Sequence, residues 1–229
     1  MHPIERLRAI ARSDDLPHAE LAAEAAAALA ALADDPLGLV PACRRLIDRH
    51  PDVGPLWWAC ARLLSADDPF AEARAIRGDL ASDQVGLSLA LDLPTDATVS
   101  VVGWSPLVDE LVGRRPDMGI EVGGSIPGLA TDVLLVEAWA VGERSIVAEE
   151  GTEPAIELAT AGGAREIWLV VGVGRRLPEP LFRALRQRVG LNPDPWRVGA
   201  EVLDPSGISR TVEPLKIGCP SAPELLRPL

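Results

Sequence analysis

The sequence predicts an α/β protein: a helical N-terminal part followed by a Rossmann-like, mostly parallel sheet with flanking helices. Three observations predict it. Up to about residue 92 the apolar residues recur every three or four positions, the period of a helix face. From about residue 95 the pattern becomes short strand-like runs: a β-branched one at 97–103, a continuous apolar one at 133–136 and a mostly apolar one at 166–171. Helix-forming segments separate those runs, the alternation that builds parallel sheets. The change divides the chain into a helical domain, 1–94, and a Rossmann-like α/β domain, 95–229. The junction at 93–96 has turn chemistry and no linker composition, so the two parts are expected to pack together.

In the helical part, Ile4, Leu7, Ile10 and Ala11 mark a first helix, punctuated by Asp14, Asp15 and Pro17. Residues 19–33 are almost all strong helix formers, and Asp34 to Gly38 reads as their end. Leu39, Val40, Cys43, Leu46 and Ile47 share one face of a helix over 39–50. The run 53–64 is apolar enough to be buried on more than one side. Its adjacent Trp57 and Trp58 point about 100° apart on a helix, and both are expected in the core. Asp67 or Asp68 caps the next helix, with Pro69 at its first position. That helix extends towards Leu91, bent at Gly78 or Gly86.

In the α/β part, the first strand ends at Gly103, and Ser105-Pro106 starts a helix over 107–112. A helix N-terminus beside a strand end suits an anion. Gly119 to Val122 is a short second strand. The loop 123–128 is rich in glycine but lacks the G-x-G-x-x-G spacing of a dinucleotide site. Beyond the central strand, 145–152 reads as a loop facing a ligand, and Thr152 caps a helix over 155–161 that stops at Gly162-Gly163. Strand 166–171 and a helix carrying Leu181, Phe182, Leu185 and Val189 follow. Segments 200–203 and 208–212 flank Asp204-Pro205-Ser206-Gly207 and read as a hairpin, or as two short strands joined by a turn. Residues 221–226 read as a last helical turn.

Composition removes several functions. The 229 residues carry a net charge of −12, which repels phosphate backbones, so no nucleic-acid partner is expected. Lys216 is the only lysine, which leaves Schiff-base and P-loop chemistry without a supporting motif. Cys43, Cys60 and Cys219 have no C-x-x-C spacing, and Cys43 and Cys60 read as buried small apolar groups. His2, His18 and His50 all precede the α/β unit, so a metal site or a histidine triad is poorly supplied and none is expected. No signal segment or charge-free span of about 20 residues is present, so a cytoplasmic protein without a membrane partner is expected.

Ligands of open α/β sheets lie beyond the carboxyl ends of the strands. The candidate ligand-binding residues are therefore Gly103, Trp104 and Ser105, Glu137 and Trp139, Gly151 and Thr152, and Gly174 and Arg175. Arg175 and Arg176 are placed to hold an anion. Glu137, Glu149 and Glu150 are the candidate proton-transfer groups, since a carboxylate pair does this work if burial raises one pKa. The same three side chains also fit solvated loop positions.

Three stretches carry a resemblance to a known family: Thr131 to Ala138, an Asp followed by an apolar strand; Val147 to Thr152, ending Gly-Thr before a helix; and Thr98 to Leu111. On these residues the chain resembles the initiation factor 2B alpha/beta/delta family, which also holds methylthioribose-1-phosphate isomerase and ribose-1,5-bisphosphate isomerase. The resemblance implies the fold, a pocket for a small phosphorylated molecule, and pairing through the α/β domain into a homodimer. It implies no cofactor. Three departures bear on the chemistry. The isomerases use a cysteine near the first strands of this domain, and here no cysteine lies between Cys60 and Cys219. They use an aspartate where this chain has Trp139, which cannot shuttle a proton. Their Asn-Lys pair corresponds to Glu149-Glu150, which inverts the charge. The expected function is a noncatalytic family-like protein that binds a small phosphorylated molecule or acts as a homodimeric scaffold. The alternative is a sugar-phosphate or nucleotide isomerase in which Glu137 is the base, Glu149 or Glu150 the acid and Arg175 or Arg176 the phosphate holder. A third reading is a subunit of a larger regulatory or translation-related assembly.

Overall fold

The computed structural model describes residues 3–13, 16–33, 35–122, 131–162, 164–189 and 199–226. The Asp14-Asp15 punctuation, Asp34, Gly163 and the glycine-rich loop 123–128 lie outside them.

Helices come first: α1 (Pro3–Ile10), α2 (His18–Leu29), α3 (Pro36–Arg49), α4 (Gly54–Ser65), α5 (Pro69–Ala81) and α6 (Val85–Asp92). Asp35 and Asp68 play the same part. Each carboxylate accepts from a backbone N–H three residues on, Gly38 at 3.0 Å and Ala71 at 2.9 Å. Each precedes a proline whose missing N–H is harmless in a first helical turn. The Asp35-Pro36 pair therefore opens α3 ahead of the apolar face at Leu39, rather than closing the helix before it. Helices α5 and α6 are separate and do not form one helix bent at Gly78 or Gly86. The break falls at 82–84, where Asp83 Oδ1 accepts from Val85 N at 3.1 Å and starts α6. Small residues on α2 (Ala22, Ala25, Ala26) are buried, as are Trp57 and Trp58 of α4. Both indole N–H groups are satisfied, donating to Pro51 O at 2.9 Å and Gly218 O at 3.1 Å, which is what allows two adjacent tryptophans into a core.

The sheet contains β1 (Thr98–Val101), β2 (Gly119–Val122), β3 (Val133–Val141), β4 (Ile146–Glu149), β5 (Glu166–Val170), β6 (Ala200–Leu203) and β7 (Arg210–Val212). Helices α7 (Pro106–Arg114), α8 (Thr152–Gly162) and α9 (Glu179–Arg188) flank it. Strands β2-β1-β3-β5-β7 are hydrogen-bonded in parallel. Antiparallel β4 joins the second half of β3, and β6 joins β4. The sheet is thus mostly parallel, as expected, and curls where β4 begins. No described helix is long and apolar enough to cross a membrane.

Three expectations about the sheet change. The central strand does not end at Val136: it continues to Val141, with a register shift between Ala138 and Ala140. Segment 145–152 is mainly strand β4 and not a loop, because Gly142 N closes a turn onto Ser145 O at 3.0 Å and returns the chain antiparallel. Of the two readings of 200–212, the hairpin fails. β6 pairs with β4 and β7 with β5, so these strands lie on different edges, joined by a 3₁₀ turn over Pro205–Gly207.

Alternation on the strands sorts the core into two layers. Val99, Val101, Val133, Leu135, Trp168 and Val170 pack with Leu89 of α6 and Leu111 of α7. Leu134, Val136, Ala138, Ile167 and Leu169 pack on the other face with Ala155 of α8 and Leu203. A third cluster joins the helical part to the curled end of the sheet through Ala140, Val147, Phe182 and Leu185. At that seam an added Cβ on Gly54 would lie 2.3 Å from Trp139 O, so the start of α4 rests directly on β3.

Candidate functional site

The curl creates the cavity. β1 pairs with β3 only as far as Leu135, and β4 pairs with β3 only from Ala138. Glu137 sits between those two pairings. By strand alternation it projects to the same face as Val133 and Leu135, where the helical part leaves a cavity of about 750 Å³. That volume is within the range of small-molecule sites.

Seven of the predicted residues line this cavity: Trp104, Ser105, Glu137, Trp139, Glu149, Thr152 and Arg175. Gly103 stands directly behind it. Its φ of +70° suits glycine, and a Cβ there would lie 2.1 Å from Glu149 Oε2. The other three do not line it. Gly151 supplies a φ of +95° in the turn before α8. Gly174 packs against Trp58, where a Cβ would come within 2.9 Å of the indole. Glu150 is exposed and lies along Gly199, whose carbonyl accepts its backbone N–H at 2.8 Å. Glu150 is the first residue after β4, in the turn leading to α8, and does not share the cavity with Glu149.

Glu137 and Arg175 form the centre. Arg175 Nη2 donates to Glu137 Oε1 at 2.5 Å, Nη1 donates to Ala138 O, and the two side chains are only 20% and 13% exposed. Burial by itself raises the Glu137 carboxyl pKa. The Arg175 charge, with Ser105 Oγ and His18 beside it, outweighs this and brings it below the usual carboxylate value. Ser105 Oγ is buried near Glu137 at a geometry short of a hydrogen bond and has no other partner among the described residues. Glu149 moves the other way, raised by burial and then by the negative charge of Glu137. Two facing carboxyls with opposed shifts is an arrangement able to hold and transfer a proton.

The predicted arginine pair does not offer two free cations. Arg175 is engaged as above, and Arg176 forms a two-point pair with Glu213 at 2.9 and 2.7 Å, outside the cavity.

Sequence reasoning missed the wall contributed by the helical part. His18 packs its ring edge-on to Trp139, with centroids 4.8 Å apart, and His50 and Asp52 reach the same space. Distance along the chain hid this, since all three precede the sheet. Asp83 ties the two parts together: Oδ2 accepts from Val173 N, beyond β5, at 2.7 Å, while Oδ1 accepts from Val85 N, the first residue of α6, at 3.1 Å. Its place ahead of a helix was the available signal. Among the described residues no group of three or more His, Cys, Asp or Glu is arranged to hold a metal ion.

No protein-family model and no curated protein sequence matches this chain. Solved structures do. The tetrameric eIF2B-beta2-delta2 complex from C. thermophilum superposes with a TM-score of 0.70 at 12% identity, covering 92% of this chain and 88% of that one. The translation initiation factor eIF-2B of Pyrococcus horikoshii OT3 gives 0.70 at 11% identity, over 92% and 94%. The 5-methylthioribose 1-phosphate isomerase of Pyrococcus horikoshii OT3 gives 0.57 at 14% identity, over 92% and 82%. The resemblance read from three short stretches therefore extends along nearly the whole chain, which has the fold of the initiation factor 2B and methylthioribose-1-phosphate isomerase family.

Proposed function

We propose that this chain is a noncatalytic relative of the isomerases that binds a small molecule between its helical part and its sheet. The observation that carries this reading is a cavity that stays open while the groups for isomerase chemistry are missing from its wall. Trp139 lines it where the resemblance places an aspartate, and no cysteine reaches it. Cys43 and Cys60 are fully buried in the helical core, and burial raises the Cys219 thiol to about 12. A thiol at that pKa is a poor acid or base near neutral pH.

Self-association goes with this reading. Strand β6 pairs only with β4 among the described strands, so no described strand covers its other edge, and Val202 on it is exposed together with Leu158 on the neighbouring α8. A homodimer covering this face would satisfy an edge that otherwise invites uncontrolled pairing.

The opposed pKa shifts of Glu137 and Glu149 favour one other reading, an isomerase that uses those carboxyls in place of cysteine and aspartate. Two assays on the same preparation separate the readings: saturation-transfer NMR against pooled small metabolites, and conversion of methylthioribose 1-phosphate or ribose 1,5-bisphosphate to ketose. Binding without conversion supports the proposal. Conversion lost in Glu137→Gln supports the enzyme. Neither binding nor conversion refutes a ligand site and leaves a scaffold.

A further inference from the structure

We infer that the cavity selects an organic cation, a small molecule carrying an amine or guanidinium, over a phosphate ester. The inference rests on the binding reading above and adds the ligand class.

Acidic groups dominate the cavity wall, which also carries the imidazoles of His18 and His50. Asp52, Asp83, Glu110, Glu137 and Glu149 face it, and Arg175 is the only Lys or Arg among the described lining residues. That arginine is already committed to Glu137 and to Ala138 O. Its charge is already balanced by Glu137, so a phosphate reaching its remaining N–H groups would set a dianion beside the mostly buried Glu137 carboxylate and beside Glu149, which is unfavourable at low dielectric.

Glu149 is the complementary observation. Its carboxyl lines the cavity, is partly buried, and has no hydrogen bond or ion pair from any described residue. Burial and then the negative charge of Glu137 raise its pKa. An ammonium or guanidinium supplies N–H donors and positive charge together, and would relieve the repulsion between the two carboxylates. The aromatic wall agrees. Trp139 lines the cavity, and Trp104, 60% exposed, stands at its edge. Indole faces attract cations and do not attract phosphates.

The feature that opposes this is the N-terminus of α7, which begins in the wall at Ser105-Pro106 and favours anions in general. Here the helix's own acids meet it. Asp109 lies in its first turn, with Oδ1 accepting from Trp104 Nε1 at 2.8 Å, and Glu110 follows in the lining. The helix end is therefore countered by two carboxylates before any ligand arrives.

A thermal-shift titration tests the inference. The probes are ethanolamine, agmatine and glucosamine on one side, and glucose 6-phosphate and ribose 5-phosphate on the other. The proteins are the natural chain, Glu149→Gln, and Glu157→Gln as an exposed acidic control on α8. At least one cation is expected to raise the midpoint saturably in the natural chain and in the control, with apparent affinity at least tenfold weaker in Glu149→Gln. Stabilisation by the phosphates and not by the cations overturns the cation class but leaves the binding reading standing. Equal cation effects in all three proteins show attraction to the acidic surface at large and also overturn the inference. Silence from both classes overturns the binding reading and the inference with it.

Discussion

Replacing Arg175 with methionine removes the charge that lets Glu137 stay ionised inside the fold. The structure sets the scale. The pair is 2.5 Å apart, with side chains 13% and 20% exposed, so little water is available to solvate the abandoned carboxylate. Deleting one partner of a buried pair costs about 3–5 kcal/mol, and partial exposure places this case near about 3 kcal/mol. For a chain of this size about 1 kcal/mol moves Tm by roughly 2–4 °C, so Arg175→Met should melt about 6–12 °C below the natural protein near neutral pH. Glu137→Gln removes the charge and keeps a side chain of the same shape. The double variant, with no charge left to abandon, should recover about 2 kcal/mol of the loss, seen as non-additivity in a urea-denaturation cycle. A loss below about 1 kcal/mol for Arg175→Met, or strict additivity, would refute the view that the arginine is held by Glu137 and is not available to a ligand.

Acid titration separates the two cavity carboxyls. The Glu137 pKa is lowered in the fold, so its contribution is present above the usual carboxylate range and is lost as pH falls through the folded value. Glu137→Gln should therefore be less stable near neutral pH, with the gap closing on acidification. The Glu149 pKa is raised, so ionisation works against the fold as pH rises through it. Glu149→Gln should be more stable near neutral pH and equal to the natural chain in acid, as melting curves across a pH series would show. Gly54→Ala places a Cβ 2.3 Å from the Trp139 carbonyl; forcing helix from strand should cost about 3 kcal/mol in urea denaturation, the upper end for overpacking. Gly151→Ala, at φ +95° with open space around it, should lose only the about 1–2 kcal/mol of a left-handed backbone. Gly174→Ala, at φ +77° and 2.9 Å from Trp58, should lose more than Gly151→Ala in the same assay.

The fold was legible because its cues are local. Continuous runs such as Val133 to Val136 and Ile167 to Val170 can be satisfied only by burial on both faces, and Asp68-Pro69 marks a helix start by its own chemistry. Strand β4 was less legible because nothing in Ile146-Val147-Ala148 states which neighbour it joins. The turn at Gly142 decides that it returns antiparallel to β3. The candidate site was legible on the sheet side, where topology alone places Ser105 and Arg175 beyond strand ends; Glu137 instead lies within β3, where that strand leaves β1 for β4. The opposite wall was not. His18 and Asp83 reach the cavity through the docking of helices onto the curled sheet, a contact between segments more than 80 residues apart, such as Asp83 with Val173. The arginine reading failed for a related reason. Charge counting along the chain cannot show that Glu137 and Glu213 have already taken Arg175 and Arg176.

The most direct measurement is a crystal structure of the protein grown with the strongest-binding compound of the amine series. The compound should lie in the space between Glu149, Trp139 and Asp83, its nitrogen on the Glu149 carboxylate, with the Glu137–Arg175 pair intact. A cavity closed by Trp139, or a compound bound elsewhere on the protein, would contradict that placement.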